Sequence, residues 1–171
     1  MEFTVGIGQI TVSGNPGLLK SLGIGSCVAI ALYDRKAGIG ALAHIMLPCI
    51  KEAYNKSQPA RFADVAVGMM IEEMESRGAR VRNVSAKIFG GANMFPRIIP
   101  EGSPMNVGKR NVQAVRDELK RNGIRIIAEE TGGSVGRSIA FDVSDGSVTV
   151  GTAMLEKKKY LEPFGKTMSD E

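Results

Sequence analysis

The sequence predicts an α+β fold, a layered, β-rich single domain with two principal helices. Two neighbouring stretches, CVAIALYD and GIGALAHIML, are apolar on both faces, so the sheet that holds them needs cover on both sides. Only two segments carry extended helical spacing, and strand-like segments separate them. The C-terminal half runs through consecutive strand patterns without a repeated βαβ unit, which argues against a doubly wound nucleotide fold. A chain of 171 residues is long enough for one continuous core. We read residues 1–156 as the domain and 157–171 as a C-terminal tail.

The opening FTVGIGQITV mixes β-branched residues with glycine and predicts one strand with a bend or bulge. SGNPG is a turn. CVAIALYD and GIGALAHIML follow as two strands joined through RKA. The polar PCIKEAYNKSQP, Pro48 to Pro59, could hold a short helical turn, but a mobile loop after His44 is the simpler reading. Residues 61–77 predict a helix with Val65, Met69, Met70 and Met74 on its apolar face and Gly78 as its stop. RVRNVSAKIFGGA alternates over Val81, Val84, Ala86 and Ile88 as a strand. Residues 107–122 predict the second helix, with Val112, Val115 and Leu119 inward and Gly123 beyond its last turn. IRIIAEET, SIAFDV and SVTVGTAML are three more strands, the last two joined through the turn SDG. EKKKYLEPFGKTMSDE shows little periodicity and fits a docked or frayed tail.

Composition removes several function classes. Tryptophan is absent and tyrosines number three, so stacking platforms for nucleic acid are scarce. The formal charge of +4, from 22 basic and 18 acidic residues, is spread along the chain and marks no nucleic-acid footprint. Two cysteines, Cys27 and Cys49, are too few for a disulfide framework or an ordinary structural zinc site. No run is apolar enough to cross a bilayer, and the N-terminus lacks secretory features. A reduced, cytoplasmic location is the expectation, without membrane insertion. The clusters GGANMF and GGSVGRS match neither GxxxxGK[ST] nor GxGxxG in a strand-to-helix context; they are tight turns or, less simply, ligand loops.

The chemistry-bearing residues lie close together in sequence. The single histidine, His44, follows Cys27 by 17 residues. If Tyr33 faces Gly38 across the hairpin loop, paired residue numbers sum to 71, and Cys27 falls opposite His44, Ala29 opposite Leu42 and Ala31 opposite Gly40. Opposed Cβ atoms lie about 4.5–5.5 Å apart, and the small residues Ala29, Gly40 and Ala43 would leave room. A one-residue slip would send the pair to opposite faces. A histidine beside a thiol can take its proton, stabilise a thiolate–imidazolium pair and lower the cysteine pKa. The same ring can protonate a leaving amine and activate water. In GIGSC, the Cys27 N–H is the first oxyanion candidate, with the Ser26 and Gly25 N–H groups behind it. Ser21 could orient the imidazole through its hydroxyl.

Each assignment has a packing alternative. Cys27 also reads as a small buried hydrophobe, His44 as a core histidine satisfied by backbone, Ser21 as a turn residue and Cys49 as an unreactive thiol. A metal site on Cys27, His44 and Cys49 would lack a signalled fourth ligand.

LGIGSCVAIALYD and GIGALAHIMLP, with IFGGANMF, VGKRNVQAVRDELKRNGI and EETGGSVGRSIAFDVSDGSVTV, closely resemble the CheD chemoreceptor glutamine deamidases over about residues 4–152. The resemblance implies an α+β layered fold, with a Cys–His arrangement similar to that of bacterial cytotoxic necrotizing toxins. It implies hydrolysis of selected glutamine side chains to glutamate on methyl-accepting chemotaxis receptors, without metal or organic cofactor, and in some members receptor methylester hydrolysis. It assigns the nucleophile to Cys27 and the base to His44. The family threonine of its TLG segment corresponds to Ser21 in SLG, which keeps the hydroxyl and loses the methyl group. The implied partners are the cytoplasmic helices of receptors and the phosphatase CheC. The alternative reading is a receptor- and CheC-binding regulator with weak or no hydrolase activity, motivated by Ser21.

Overall fold

In the computed structural model, which describes residues 1–152 and 159–161, the strands form two five-stranded sheets. The first has the order β2 (Ile10–Gly14), β5 (Ile39–Ile45), β4 (Val28–Asp34), β6 (Val84–Gly90), β7 (Arg125–Thr131). Its pairs are antiparallel except β6 with β7. The second has the order β1 (Glu2–Thr4), β3 (Leu18–Ile24), β8 (Arg137–Asp142), β9 (Val148–Thr152), β10 (Lys159–Leu161), with β1 parallel to β3. Helices α1 (Ala63–Ser76) and α2 (Val107–Arg121) cover the outer face of the first sheet. The layers are therefore helices, sheet and sheet.

Strand β4 shows why its sequence is apolar throughout. Val28, Ile30 and Leu32 pack with Ala66, Val67 and Met70 of α1 and with Val115 and Leu119 of α2. Ala29, Ala31 and Tyr33 point the other way, among Leu19, Ile139, Phe141 and Val148 of the second sheet. The period of two thus sends successive residues into two separate cores. Each fully buried Val, Leu or Ile contributes about 1.5–3 kcal/mol. Gly40 faces the inter-sheet core, where an added Cβ would lie 2.8 Å from the Phe141 ring. That ring meets Tyr33 edge-on at 5.8 Å, and the Tyr33 hydroxyl donates to the Val143 carbonyl at 2.9 Å.

Several expectations need correction. The opening segment is not one bent strand: β1 and β2 belong to different sheets, because the chain turns between them. The stretch containing Ser21, expected to be turn, is strand β3. The α1 stripe is Ala63, Ala66, Val67, Met70 and Met74; Val65 is half-buried and Met69 exposed. Small alanines, invisible to a count of large apolar residues, set the close contact there. Val81 sits in a short 3₁₀ turn, Val81–Asn83, rather than in the strand. The connection after His44 is irregular apart from 3₁₀ turns at Ile50–Glu52, the short helical turn that stretch allowed, and at Pro59–Arg61. Lys159–Leu161, inside the stretch read as tail, pairs antiparallel with β9; the remainder of that stretch lies outside the described residues. α2 runs as expected, with Val112, Val115 and Leu119 buried.

Candidate active site

The β4–β5 hairpin closes with Asp34 paired to Ile39 and the Gly38 N–H donating to the Asp34 carbonyl at 2.9 Å. Gly38 has φ 66°, a conformation glycine adopts without steric cost. Four residues thus lie in the loop, and Tyr33 pairs with Gly40, Ala31 with Leu42 and Ala29 with His44. The expected register, Tyr33 with Gly38, Ala31 with Gly40 and Cys27 with His44, is therefore off by two residues. An offset of two preserves the face. Continued one residue beyond Val28, the observed register places Cys27 diagonal to His44, an arrangement in which Cβ atoms are typically about 7 Å apart. Ala29 is the small residue opposite the imidazole. Ala43 faces the helix layer and Gly40 holds Phe141, so neither makes room for the pair.

Ser21 reaches His44 from the other sheet. Its Oγ lies 2.8 Å from His44 Nδ1 and 2.8 Å from the Val5 carbonyl oxygen. A carbonyl only accepts, so the one hydroxyl proton goes to Val5 and Oγ accepts from Nδ1–H. This sets the tautomer and leaves a lone pair on Nε2, which is buried and has no hydrogen-bond partner among the described residues. His44 and Ser21 are themselves buried, and the His44 backbone is held by Gly8 N–H at 2.8 Å. Directly after Ser21 the β3 register shifts, with Gly23 at φ 65°. This bulge redirects the chain from the second sheet into the Gly25–Cys27 turn and then into β4 of the first.

Three successive carbonyls anchor that turn. Gly25 O accepts from Ala92 N–H at 2.9 Å, Ser26 O from Asn111 Nδ2 at 2.9 Å, and Cys27 O from Gly91 N–H at 2.7 Å. The GGANMF cluster is therefore the floor beneath the cysteine. Gly90 has φ 111° and an added Cβ there would fall 2.3 Å from Cys27 O. Sequence reading passed over Asn111, although an asparagine on the buried face of an otherwise amphipathic helix is a signal, because asparagine is a poor helix-interior residue. Cys49 is half-buried, and both cysteines are free thiols. Among the described residues no cluster of three His, Cys, Asp or Glu side chains has metal-binding geometry, and no helix is long and apolar enough to cross a membrane.

Burial raises the Cys27 thiol above its ordinary 9.0, opposed by its own backbone N–H. Burial lowers the His44 imidazole below 6.5, opposed by the Val5 carbonyl. Both shifts favour the neutral thiol and the neutral imidazole over the thiolate–imidazolium pair that a histidine beside a thiol can form. For His44 the folded pKa lies below the unfolded one, so its contribution to stability is complete above pH 6.5 and is lost as pH falls through the folded value. Alkylation of Cys27 across a pH series should show a midpoint above 9.0. A midpoint well below that value would mean a thiolate is already formed at rest.

The fold and these contacts define a three-layer α+β domain in which a cysteine and a serine-tethered histidine share the inter-sheet face. Residues 46–152 match the family model described as CheD chemotactic sensory transduction. The chain is 44% identical over 158 residues to the probable chemoreceptor glutamine deamidase CheD of Clostridium tetani, covering 91% of this chain and 95% of that protein. It is 43% identical over 150 residues to the chemoreceptor glutamine deamidase CheD of Thermotoga maritima, covering 88% and 91%. A probable chemoreceptor glutamine deamidase CheD of Thermococcus kodakarensis is 43% identical over 148 residues, covering 86% and 91%. The chain belongs to the CheD family.

Proposed function

We propose that this protein hydrolyses glutamine side chains of chemoreceptors to glutamate, with Cys27 as nucleophile, His44 as acid–base and Ser21 as the group that orients His44. The observation that carries the mechanism is the Ser21 tether, which leaves His44 Nε2, on the face shared with Cys27, as a base with no hydrogen-bond partner among the described residues. Family membership supplies the substrate class.

As Cys27 Sγ attacks the carboxamide carbon, its proton passes to His44 Nε2, so no free thiolate has to accumulate. The carbonyl π electrons move to oxygen, and the Cys27 N–H donates to that oxyanion. His44 returns the proton to nitrogen, the C–N bond breaks, and ammonia leaves a γ-glutamyl thioester. Water then attacks the thioester as His44 takes its proton; the C–S bond breaks, His44 returns that proton to the departing sulfur, and glutamate and the Cys27 thiol are released. The same acyl-transfer steps would serve a methyl ester, with methanol leaving in place of ammonia.

Substrate approach is assigned to the 93–106 segment. A cavity of about 190 Å³ beside Ser26 is lined by Ala92, Met94, Phe95 and Met105. Phe95, Ile98 and Met105 expose 62%, 79% and 70% of their surface. Exposed apolar side chains on this scale fit an amphipathic receptor helix. CheC is assigned to the same surface, where it would compete with receptor. Incubation with a receptor cytoplasmic fragment should convert selected glutamine-containing peptides to glutamate masses, with one ammonia released per conversion. Tight binding with no mass change and no ammonia would refute the hydrolase assignment and favour the regulator.

A further inference from the structure

We infer that Asn111 is a positioning residue for the reaction: by holding the Ser26 carbonyl, it aims the Cys27 N–H at the developing oxyanion. The inference rests on reading Cys27 as the nucleophile. Asn111 is completely buried, and its Nδ2 donates both hydrogens, one to Ser26 O and one to Met46 O, each at 2.9 Å. Both partners are carbonyls that only accept, which identifies the amide nitrogen unambiguously. Ser26 O and Cys27 N–H belong to one peptide group. Because a trans peptide is planar, its C=O and N–H point in opposite directions. Pulling the Ser26 oxygen toward α2 therefore turns the Cys27 N–H away from α2. That N–H also acts on the Cys27 sulfur, whose pKa it lowers, as a donor on the sulfur's side would.

The second hydrogen bond couples this peptide to the base. Met46 lies two residues beyond His44 and directly follows the end of β5. One side-chain amide thus links the nucleophile's turn to the segment leaving the histidine's strand. The helix comes close enough because Gly108, one turn earlier on the same face, has no side chain. A Cβ at Gly108 would fall 2.4 Å from Ala92 O and 2.6 Å from Gly91. The run GKRN, Gly108 to Asn111, therefore supplies both the close approach and the anchor. The Asn106 side chain caps the helix by accepting from Lys109 N–H at 3.1 Å, which fixes the first turn on which both depend.

The test compares Asn111→Ala with Val115→Ala, a cavity-forming change on the same buried face one turn further along. Turnover of a receptor fragment is measured together with the rate at which iodoacetamide alkylates Cys27. Alkylation forms no oxyanion; it reports access to the sulfur and its ionisation, not the stabilisation of an oxyanion by the Cys27 N–H. For Asn111→Ala we expect kcat to fall about a hundredfold, with KM and alkylation each within about threefold of the parent and Val115→Ala near the parent in all three. Retained kcat in Asn111→Ala, a loss confined to KM, or a parallel fall of kcat and alkylation would each overturn the inference. If the alanine protein does not fold, Asn111→Ser, too short to reach both carbonyls, is read by the same criteria. Cys27→Ala in the same assay separates the two levels. Full turnover there removes the nucleophile assignment itself, whereas an inactive Cys27→Ala beside a fully active Asn111→Ala overturns only the role of Asn111.

Discussion

Cys27→Ala is expected to abolish glutamine-to-glutamate conversion on a receptor fragment, and His44→Gln to lower it about 10⁴-fold, with the circular dichroism of both proteins unchanged. Without the sulfur there is no atom to carry the acyl group, and water alone must attack an unactivated amide. Without the imidazole the Cys27 thiol, whose ionisation burial opposes, has no acceptor for its proton and the leaving nitrogen has no donor. Acid–base groups contribute up to about 10⁴-fold, and both functions here fall to one ring. Ser21→Ala should be milder, about ten- to a hundredfold, the scale seen for groups that orient a functional histidine from behind. It removes the oxygen 2.8 Å from Nδ1 and leaves Nε2 in place. Ser21→Thr keeps that oxygen and should recover most of the loss. Discontinuous peptide mass spectrometry checks all four proteins; substantial conversion by Cys27→Ala contradicts the mechanism outright.

Gly90→Ala should destabilise the fold by about 3 kcal/mol or more and disturb the site with it. Its Cβ would fall 2.3 Å from Cys27 O and 2.5 Å from Ile24 Cγ2, at a φ of 111°. The chain must move away from Cys27 to admit it, and Gly91 N–H then loses its 2.7 Å bond to the same carbonyl. Gly123→Ala is the control for backbone conformation alone: φ there is 71°, with nothing within 4 Å of the added carbon, and about 1 kcal/mol is expected. Urea unfolding of the two variants separates steric collision from conformational cost. Equal destabilisation would show that the contact with the Cys27 turn carries no weight.

The hairpin shows what local pattern determines well. Its two strands read directly from their apolar runs, and the side-chain period of two placed Cys27 and His44 on a common face. The exact pairing depended on where the turn falls: the loop has four residues, as assumed, but it spans 35–38 with Gly38 at positive φ instead of 34–37, which moves each pairing by two. Parity survived because the offset was even. Strand β3 was harder, since its glycines and serine resemble a turn, and only pairing with β1 and β8 holds it extended. Half of the α1 stripe was misplaced for a similar reason: Met70 and Met74 are buried as expected, but alanines stand where Val65 and Met69 were placed, and alanine carries little hydrophobic signal.

By itself the sequence determined the α+β class, the two helices, the doubly apolar hairpin and the cysteine and histidine that carry the proposed chemistry. These rest on periodicity and residue type, which act over a few residues. Tertiary structure decided the rest. It brought Ser21 from one sheet to His44 in the other, chose the Nδ1–H tautomer through the Val5 carbonyl, and set both titrations by burial. It also carried Asn111 across 85 residues of chain to Ser26. Such contacts depend on which layers meet and how closely, and no local spacing encodes that distance.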